Sequence, residues 1–268
     1  MSSPPQHPYD IAVVGLGITS VHQITREVEE TIRRSTRTFV ADRAPGVTTY
    51  LSTLSPSVID LASRFRPNAH RLEAYRAIAN EVVTAAIEQP PVCFATYGHP
   101  KMLSYPTVLI QRAAAILDLR VAILPGISFL DTLLIDLGID PGFDGLQLYE
   151  ATDLLVRRRP LQTDVACVIA QAPVVVEPRE AAAPSSAAHL ALLQNYLLTF
   201  YPPDHPVVIV VSKTHPLLEP VLQRTRLGTL VAALANTAHS GTLYIPPLRR
   251  RAVADQALAD RMREAAGG

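Results

Sequence analysis

Residues 92–100 read Val92-Cys93-Phe94-Ala95-Thr96-Tyr97-Gly98-His99-Pro100. The apolar run Val92–Ala95 predicts a buried strand, and the polar, glycine and proline residues after it predict a loop at its carboxyl end. Open α/β sheets place ligand loops at such strand ends. Gly98 lets a ligand come close to the backbone, and Pro100 fixes the direction in which the chain leaves. Tyr97 and His99 add two rings with apolar bodies and polar tips. The segment reads as a small-molecule site on a parallel sheet.

Outward from this segment the same rhythm repeats. Ile11–Val14 predicts a strand that stops at Gly15, and residues 20–34 predict a helix, acidic early and closed by Arg33 and Arg34. Thr38–Ala41 predicts a second strand, ending at Asp42, and Pro45–Ser57 is turn-rich. An amphipathic helix is expected over 69–88, another near 105–117, and a strand at Arg120–Leu124. This βαβ alternation argues for a parallel sheet covered by helices. Pro125-Gly126-Ile127-Ser128 punctuates the chain, and Ser128 can cap a helix running to about Leu137. The second half is richer in strands, at Val165–Ala170, Pro206–Val211 and Thr242–Ile245. Residues 181–186 predict a flexible connection before a helix at 187–200, and an Arg-rich helix follows Pro247 and ends in Gly267-Gly268.

Composition bounds the function. The chain has 268 residues, 48% hydrophobic and 18% charged, enough for a sizeable core. Lys and Arg number 24, as do Asp and Glu, so strong nonspecific attraction to nucleic acid is disfavoured. Cys93 and Cys167 sit in apolar runs and read as buried free thiols. The N-terminus lacks the basic and apolar regions of a secretory signal, and no apolar stretch is long enough to span a membrane, so a cytoplasmic location is expected.

Several motifs carry chemistry. Val13-Val14-Gly15-Leu16-Gly17-Ile18-Thr19-Ser20, with Asp42 ending the next strand, approaches a dinucleotide fingerprint in which Ser20 stands where a third Gly or Ala would; a tight turn that lets a helix pack on its strand is the plainer reading. Arg71 and Tyr75, spaced i and i+4, share one helix face. A guanidinium beside a phenol favours the phenolate, which could help remove a proton from a weak acid. From the residues alone, a surface Arg stacked on a half-buried Tyr is the commoner arrangement. The eight histidines form no zinc spacing, so no metal is expected. Asp153, Arg157, Arg158 and Arg159 read as a solvated helix end.

Taken in order, Val13–Thr19, Thr96–Pro100, Pro125–Ser128 and Gly241–Pro247 resemble the tetrapyrrole methylase superfamily, the class III S-adenosylmethionine-dependent methyltransferases. Within it, Arg71-Leu72-Glu73-Ala74-Tyr75, Tyr97–Pro100, Asp136–Gly142 and Tyr149-Glu150-Ala151-Thr152-Asp153 look like the borosin peptide α-N-methyltransferases. The resemblance spans roughly residues 9–250. It implies a two-lobed α/β fold. A mostly parallel sheet would form the N-terminal lobe (1–124) and a mixed sheet the C-terminal lobe (125–250). The cofactor cleft would lie between them, with a helical tail over 251–268. The implied S-adenosylmethionine contacts are Tyr97, His99, Met102 and Ser128, with Phe129, Gln171 and Thr242. Arg71, Tyr75 and Tyr97 match the positions that act on the acceptor amide.

Three departures stand out. Arg64-Phe65-Arg66-Pro67 lacks the tyrosines the family often carries before the Arg71 position, and Lys101 replaces a usual Gly. Fused borosins carry a helical clasp and a substrate peptide at their C-terminus, whereas this sequence runs about twenty residues past Pro247. The resemblance therefore implies a homodimer that methylates a separate precursor peptide, without nucleic-acid or membrane partners. Methylation of a tetrapyrrole or another small metabolite, or a donor-binding subunit without turnover, are the alternatives.

Overall fold

The computed structural model describes residues 8–180, 182–249 and 251–266. Met1–His7, Ala181 at the head of the expected connection, and Gly267-Gly268 lie outside them. The chain runs β1 (Ile11–Gly15), α1 (Arg26–Arg34), β2 (Arg37–Ala41), α2 (Val47–Leu51), β3 (Val58–Asp60), α3 (Arg71–Glu88), β4 (Val92–Thr96), α4 (Tyr105–Ile116) and β5 (Val121–Leu124). It continues α5 (Phe129–Leu137), α6 (Pro141–Asp144), β6 (Leu146–Glu150), α7 (Ala151–Val156), β7 (Ala166–Ala170), α8 (Ala187–Leu197), β8 (Pro206–Val211), β9 (Val221–Arg226), α9 (Leu230–Ala235), β10 (Thr242–Ile245) and α10 (Gln256–Ala266).

The strands form two sheets. The first has the order β3-β2-β4-β1-β5 and is wholly parallel. The second, β6-β7-β10-β8-β9, pairs β6 with β7 in parallel and the rest antiparallel. The central strands β1, β4, β7 and β10 are buried along their whole length. Such strands, covered on both faces, read as unbroken apolar runs, which is why sequence periodicity finds them. Cys93 and Cys167 are buried free thiols within β4 and β7. Burial pushes both thiols up, Cys167 to about 12, so neither is a reactive thiolate.

Helix ends follow their caps. The Ser128 side chain accepts from the Asp131 N–H at 3.3 Å, and Asp131 accepts in return from the Ser128 N–H at 2.6 Å. This reciprocal cap starts α5, and Gly138, with φ of 65°, ends it. Ser128→Ala should therefore destabilise the chain by about 1 kcal/mol in denaturant unfolding.

The structure corrects several sequence expectations. The helix over 20–34 is broken: Ser20–Gln23 is one 3-10 turn, and Thr25 then caps α1 by accepting from the Val28 N–H at 3.2 Å. The turn-rich stretch 45–57 contains α2, whose Val47 and Leu51 are buried. The helix over 187–200 ends at Leu197. The strands β6 and β9 gave no sequence signal. Both are edge strands, and neither has a fully buried residue to mark a pattern.

Register decides where the site lies. Gly15 and Ala41 both stand opposite Thr96, so β1, β2 and β4 end level. The loops carrying Gly17, Asp42 and Tyr97 therefore leave one edge together. The chain from β1 turns toward β2, while the chain from β4 turns toward β5, so this edge is a switch point where ligand crevices form. Against it sits a strap from the second half. Arg71 N–H donates to Pro178 O at 3.0 Å, Asn68 N–H to Glu180 O at 3.2 Å, and Glu180 N–H to Ala69 O at 2.9 Å.

No helix among the described residues is long and apolar enough to cross a membrane.

Candidate functional site

The glycine turn after β1 is closed on itself. Gln23 Oε1 accepts from the N–H groups of Ile18 and Thr19, at 2.6 and 3.0 Å. Gly17 and Gly98 exchange backbone hydrogen bonds, 2.9 Å from the Gly98 N–H and 3.3 Å from the Gly17 N–H. A dinucleotide phosphate would need such amides free. They are taken, so the fingerprint serves the turn, as its plainer reading holds.

A cavity of ≈ 350 Å³ runs between the strand-end loops of the first sheet and residues of the second. It brings together most of the expected site: Arg71, Tyr75, Tyr97, Met102, Phe129, Gln171 and Thr242 all line it. These residues lie as far apart as 171 positions in sequence, and only the packing of the two halves makes them neighbours. Two expected residues do not line it. The His99 ring accepts from the Lys101 N–H through Nδ1 at 3.0 Å, shaping its own loop. The Ser128 hydroxyl is engaged by Asp131 at 2.6 Å.

Local backbone conformation is unusual around the cavity. Leu103, Gln171 and Val176 have positive φ values of 58°, 58° and 60°. Leu103 and Gln171 line the cavity, and all three line an adjoining one of ≈ 650 Å³ that also reaches Arg71 and Tyr75. A left-handed conformation in a β-branched residue such as Val176 costs roughly 1–3 kcal/mol and persists only where the surroundings enforce it. Thr152 Oγ1 contributes by accepting the Val176 N–H at 3.0 Å. Glu150 caps α7, accepting from the Thr152 and Asp153 N–H groups at 3.0 and 2.7 Å. The Tyr149–Asp153 motif thus holds the wall of the adjoining cavity, which Glu150 and Thr152 also line. Asp153 pairs with Arg157 and Arg159, each at 2.6 Å, as an exposed cluster.

Tyr75 is half-buried. Its ring meets Phe65 edge-on, with centroids 6.0 Å apart, and Tyr105 at the same separation. Tyr105, which sequence reasoning did not single out, therefore belongs to the site. Its signal in the sequence was slight, one aromatic at the start of a helix. Arg71 donates a hydrogen bond to Glu177 O, which leaves other donors of its guanidinium available.

The expectation that Arg71 lowers the Tyr75 pKa is only half correct. Burial pushes the phenol above its ordinary value; Arg71 opposes this, and Glu180 adds to it. Burial wins, so Tyr75 is a neutral hydrogen-bond donor near neutral pH. Tyr97 keeps 44% of its surface exposed, within the cleft. Desolvation by the cleft walls, followed by the Asp42 charge, pushes its phenol to about 12.

The sequence marks Asp42 as the end of the second strand and as part of the approach to a dinucleotide fingerprint. It is 6% exposed, and its Oδ1 accepts from the Ala44 N–H at 2.8 Å while Oδ2 is buried without a partner. Burial raises its pKa. A carboxyl raised in the folded state stabilises the fold when protonated, and that contribution is lost as pH rises through the raised pKa. Asp42→Asn should therefore raise the melting temperature near neutral pH. The gain should vanish below the ordinary carboxylate range, which thermal unfolding across pH would show.

Among the described residues no group of three or more His, Cys, Asp or Glu side chains is placed to hold a metal ion.

Comparison with known proteins places this architecture. Solved structures of the methyltransferase CobJ and of a uroporphyrin-III-C-methyltransferase from Thermus thermophilus share the fold, with TM-scores of 0.64 and 0.62. Each is 16% identical; the matches cover 91% and 88% of this chain and 96% and 91% of theirs. Curated relatives are closer in sequence. A methyltransferase/type I borosin cyclic peptide precursor of Coprinopsis marcescibilis is 31% identical over 243 residues, covering 88% of this chain and 62% of the relative. The methyltransferase/omphalotin A precursor of Omphalotus olearius is 28% identical over 244 residues, covering 90% and 58%. The chain spans about three fifths of the length of such relatives. The family description "Tetrapyrrole (Corrin/Porphyrin) Methylases" matches residues 10–230. With the parallel and mixed sheets and the cleft between them, this match establishes that the chain belongs to the tetrapyrrole methylase family of S-adenosylmethionine-dependent methyltransferases.

Proposed function

We propose that the chain methylates main-chain amide nitrogens of a peptide, with S-adenosylmethionine as donor. The observation that carries this reading is the convergence of Arg71 and Tyr75 with Tyr97, Met102, Phe129, Gln171 and Thr242 on one cavity. The likeness to curated relatives named as methyltransferase and cyclic peptide precursor supports a peptide acceptor.

The cavity suits the donor. Met102, Phe129, Pro106 and Val174 supply apolar walls for an adenosine, and Thr96, Gln171 and Thr242 supply polar edges. When bound, S-adenosylmethionine supplies an electrophilic methyl group on a sulfonium. The remaining chemistry falls to the chain. A neutral amide is a poor nucleophile: as the N–CH3 bond forms and the S–CH3 bond breaks, the amide N–H proton is lost to solvent, and its loss puts negative, imidate charge on the oxygen. Cationic Arg71 and the neutral Tyr75 phenol are both donors that can face that oxygen, so we assign them to stabilising the developing charge. This replaces proton removal by a Tyr75 phenolate, which burial disfavours. Phe65 and Tyr105 fix the Tyr75 ring, and the Glu177 carbonyl steadies Arg71. The proposal includes a homodimer. Ile135 and Phe143 of α5 and α6 are exposed apolar side chains of the kind a subunit interface covers, and light scattering at micromolar concentration reads the mass.

Calorimetry should show binding of S-adenosylmethionine and none of NAD. Micromolar NAD binding without donor binding would reject the reading. Mass spectrometry of peptides incubated with chain and donor should show added methyl groups on main-chain nitrogen. Peptide added in trans decides whether a separate precursor is the acceptor; methylation of porphyrinoids and of no peptide would reject the acceptor class.

A further inference from the structure

A third cavity, of ≈ 880 Å³, is lined by Tyr97 but not by Arg71. Tyr97, Ala41 and Phe65 line both it and the cleft, so a molecule in the cleft can extend a group into it. Much of its wall is apolar, including Ile18, Val21, Phe65 and Leu218. Its charged residues are unequal. Arg43 is committed: it pairs with Glu180 at 2.8 Å, lies 5.1 Å over the Phe65 ring and donates to Phe65 O at 3.3 Å. Glu180 is thereby neutralised. Among the described residues Asp42 has no cationic partner, and its Oδ2 is buried with no hydrogen bond; His22, His215 and His239 add to the polar lining.

A largely buried carboxylate without a cationic partner is costly, and a cation held beside it in the cavity offsets the cost. An anion would be repelled, and an apolar group would leave the carboxylate as it is. A cation on a methylene stem satisfies both features, its stem against the apolar wall and its head on the carboxylate. We propose that this cavity is a specificity pocket for a basic side chain of the acceptor, an ammonium or guanidinium received by the Asp42 carboxylate, which lines it. The inference rests on the reading of the acceptor as a peptide.

The test needs no turnover. N-acetyl-arginine N-methylamide and N-acetyl-norleucine N-methylamide share a stem and differ in the charged head. Titrated into the full chain and followed by NMR, the arginine probe should bind about tenfold or more tightly than the norleucine probe. Asp42→Asn, shown folded by its melting curve, should bind the two alike. In wild-type crystals soaked with the arginine probe, the guanidinium should lie on Asp42, a readout that stands whether or not the variant folds. Equal affinities in the wild type, a preference that survives Asp42→Asn, or a guanidinium seated elsewhere would overturn the pocket. A chain that prefers the arginine probe yet methylates no peptide would instead overturn the proposed function and leave the pocket in place.

Discussion

Tyr75→Phe should lower peptide methylation by about a hundredfold to a thousandfold while leaving donor affinity unchanged. The substitution keeps the ring that packs against Phe65 and Tyr105 and removes only the hydroxyl. A loss therefore reports on the donated hydrogen bond and not on packing. Arg71→Ala should cost a comparable factor, because it removes the cation that faces the same developing charge. The two losses should be strongly non-additive if both groups serve one oxygen. The pH dependence separates the roles. Tyr75 is raised above its ordinary value, chiefly by burial, so the phenol stays protonated through neutral and mildly alkaline solution. Single-turnover rates should therefore show no rising limb from this residue there. A phenolate acting as base would make the rate climb about tenfold per pH unit over that range. Near-wild-type turnover in Tyr75→Phe would refute the assignment even with the family secure.

Gly126→Ala should destabilise the chain by about 3 kcal/mol, at the upper end of ordinary overpacking. A Cβ built on Gly126 lies 2.5 Å from Gly98 O and 2.7 Å from the Gly15 carbonyl carbon. One on Gly15 lies 2.5 Å from the same Gly98 oxygen and 2.8 Å from Gly126 Cα. Every obstructing atom is backbone, so no side chain can rotate away. Three loops, after β1, β4 and β5, thus meet main chain to main chain. For a protein of this size the melting temperature should fall by roughly 10 °C. Donor binding should weaken as well, since Tyr97 and Phe129 flank the displaced loops. Gly46→Ala is the control. Its φ of 83° is left-handed, but nothing lies within 4 Å of the added carbon, so only conformational strain of about 1 kcal/mol is expected. If Gly126→Ala melts like Gly46→Ala, the three-loop contact is not the reason for glycine.

Much of this architecture is legible in the sequence because it depends on neighbours along the chain. Val92–Thr96 and Thr242–Ile245 read as buried strands because central strands need apolar side chains on both faces. The start of α5 at Ser128 is legible because a cap is satisfied within three residues. That Arg71 and Tyr75 share a face follows from helical spacing alone, and their assignment to a site came from resemblance. The edge strands β6 and β9 were illegible, since residues exposed in part carry little alternation.

The tertiary structure decided what depends on approach through space. Gly15 and Gly126 could each have served a ligand; a Cβ on either would meet the other's backbone and the Gly98 oxygen, so they serve the contact of the three loops. Arg71, four residues from Tyr75, suggested a lowered phenol pKa, but burial by Phe65, Tyr105 and the strap near Glu180 outweighs the cation. Asp42 looked like a strand end, and only folding left its Oδ2 unpartnered beside a cavity. Local sequence determines which hydrogen bonds and apolar faces a segment offers. Desolvation and steric exclusion are set by atoms as much as a hundred residues away, and so they become visible only when the two sheets have met.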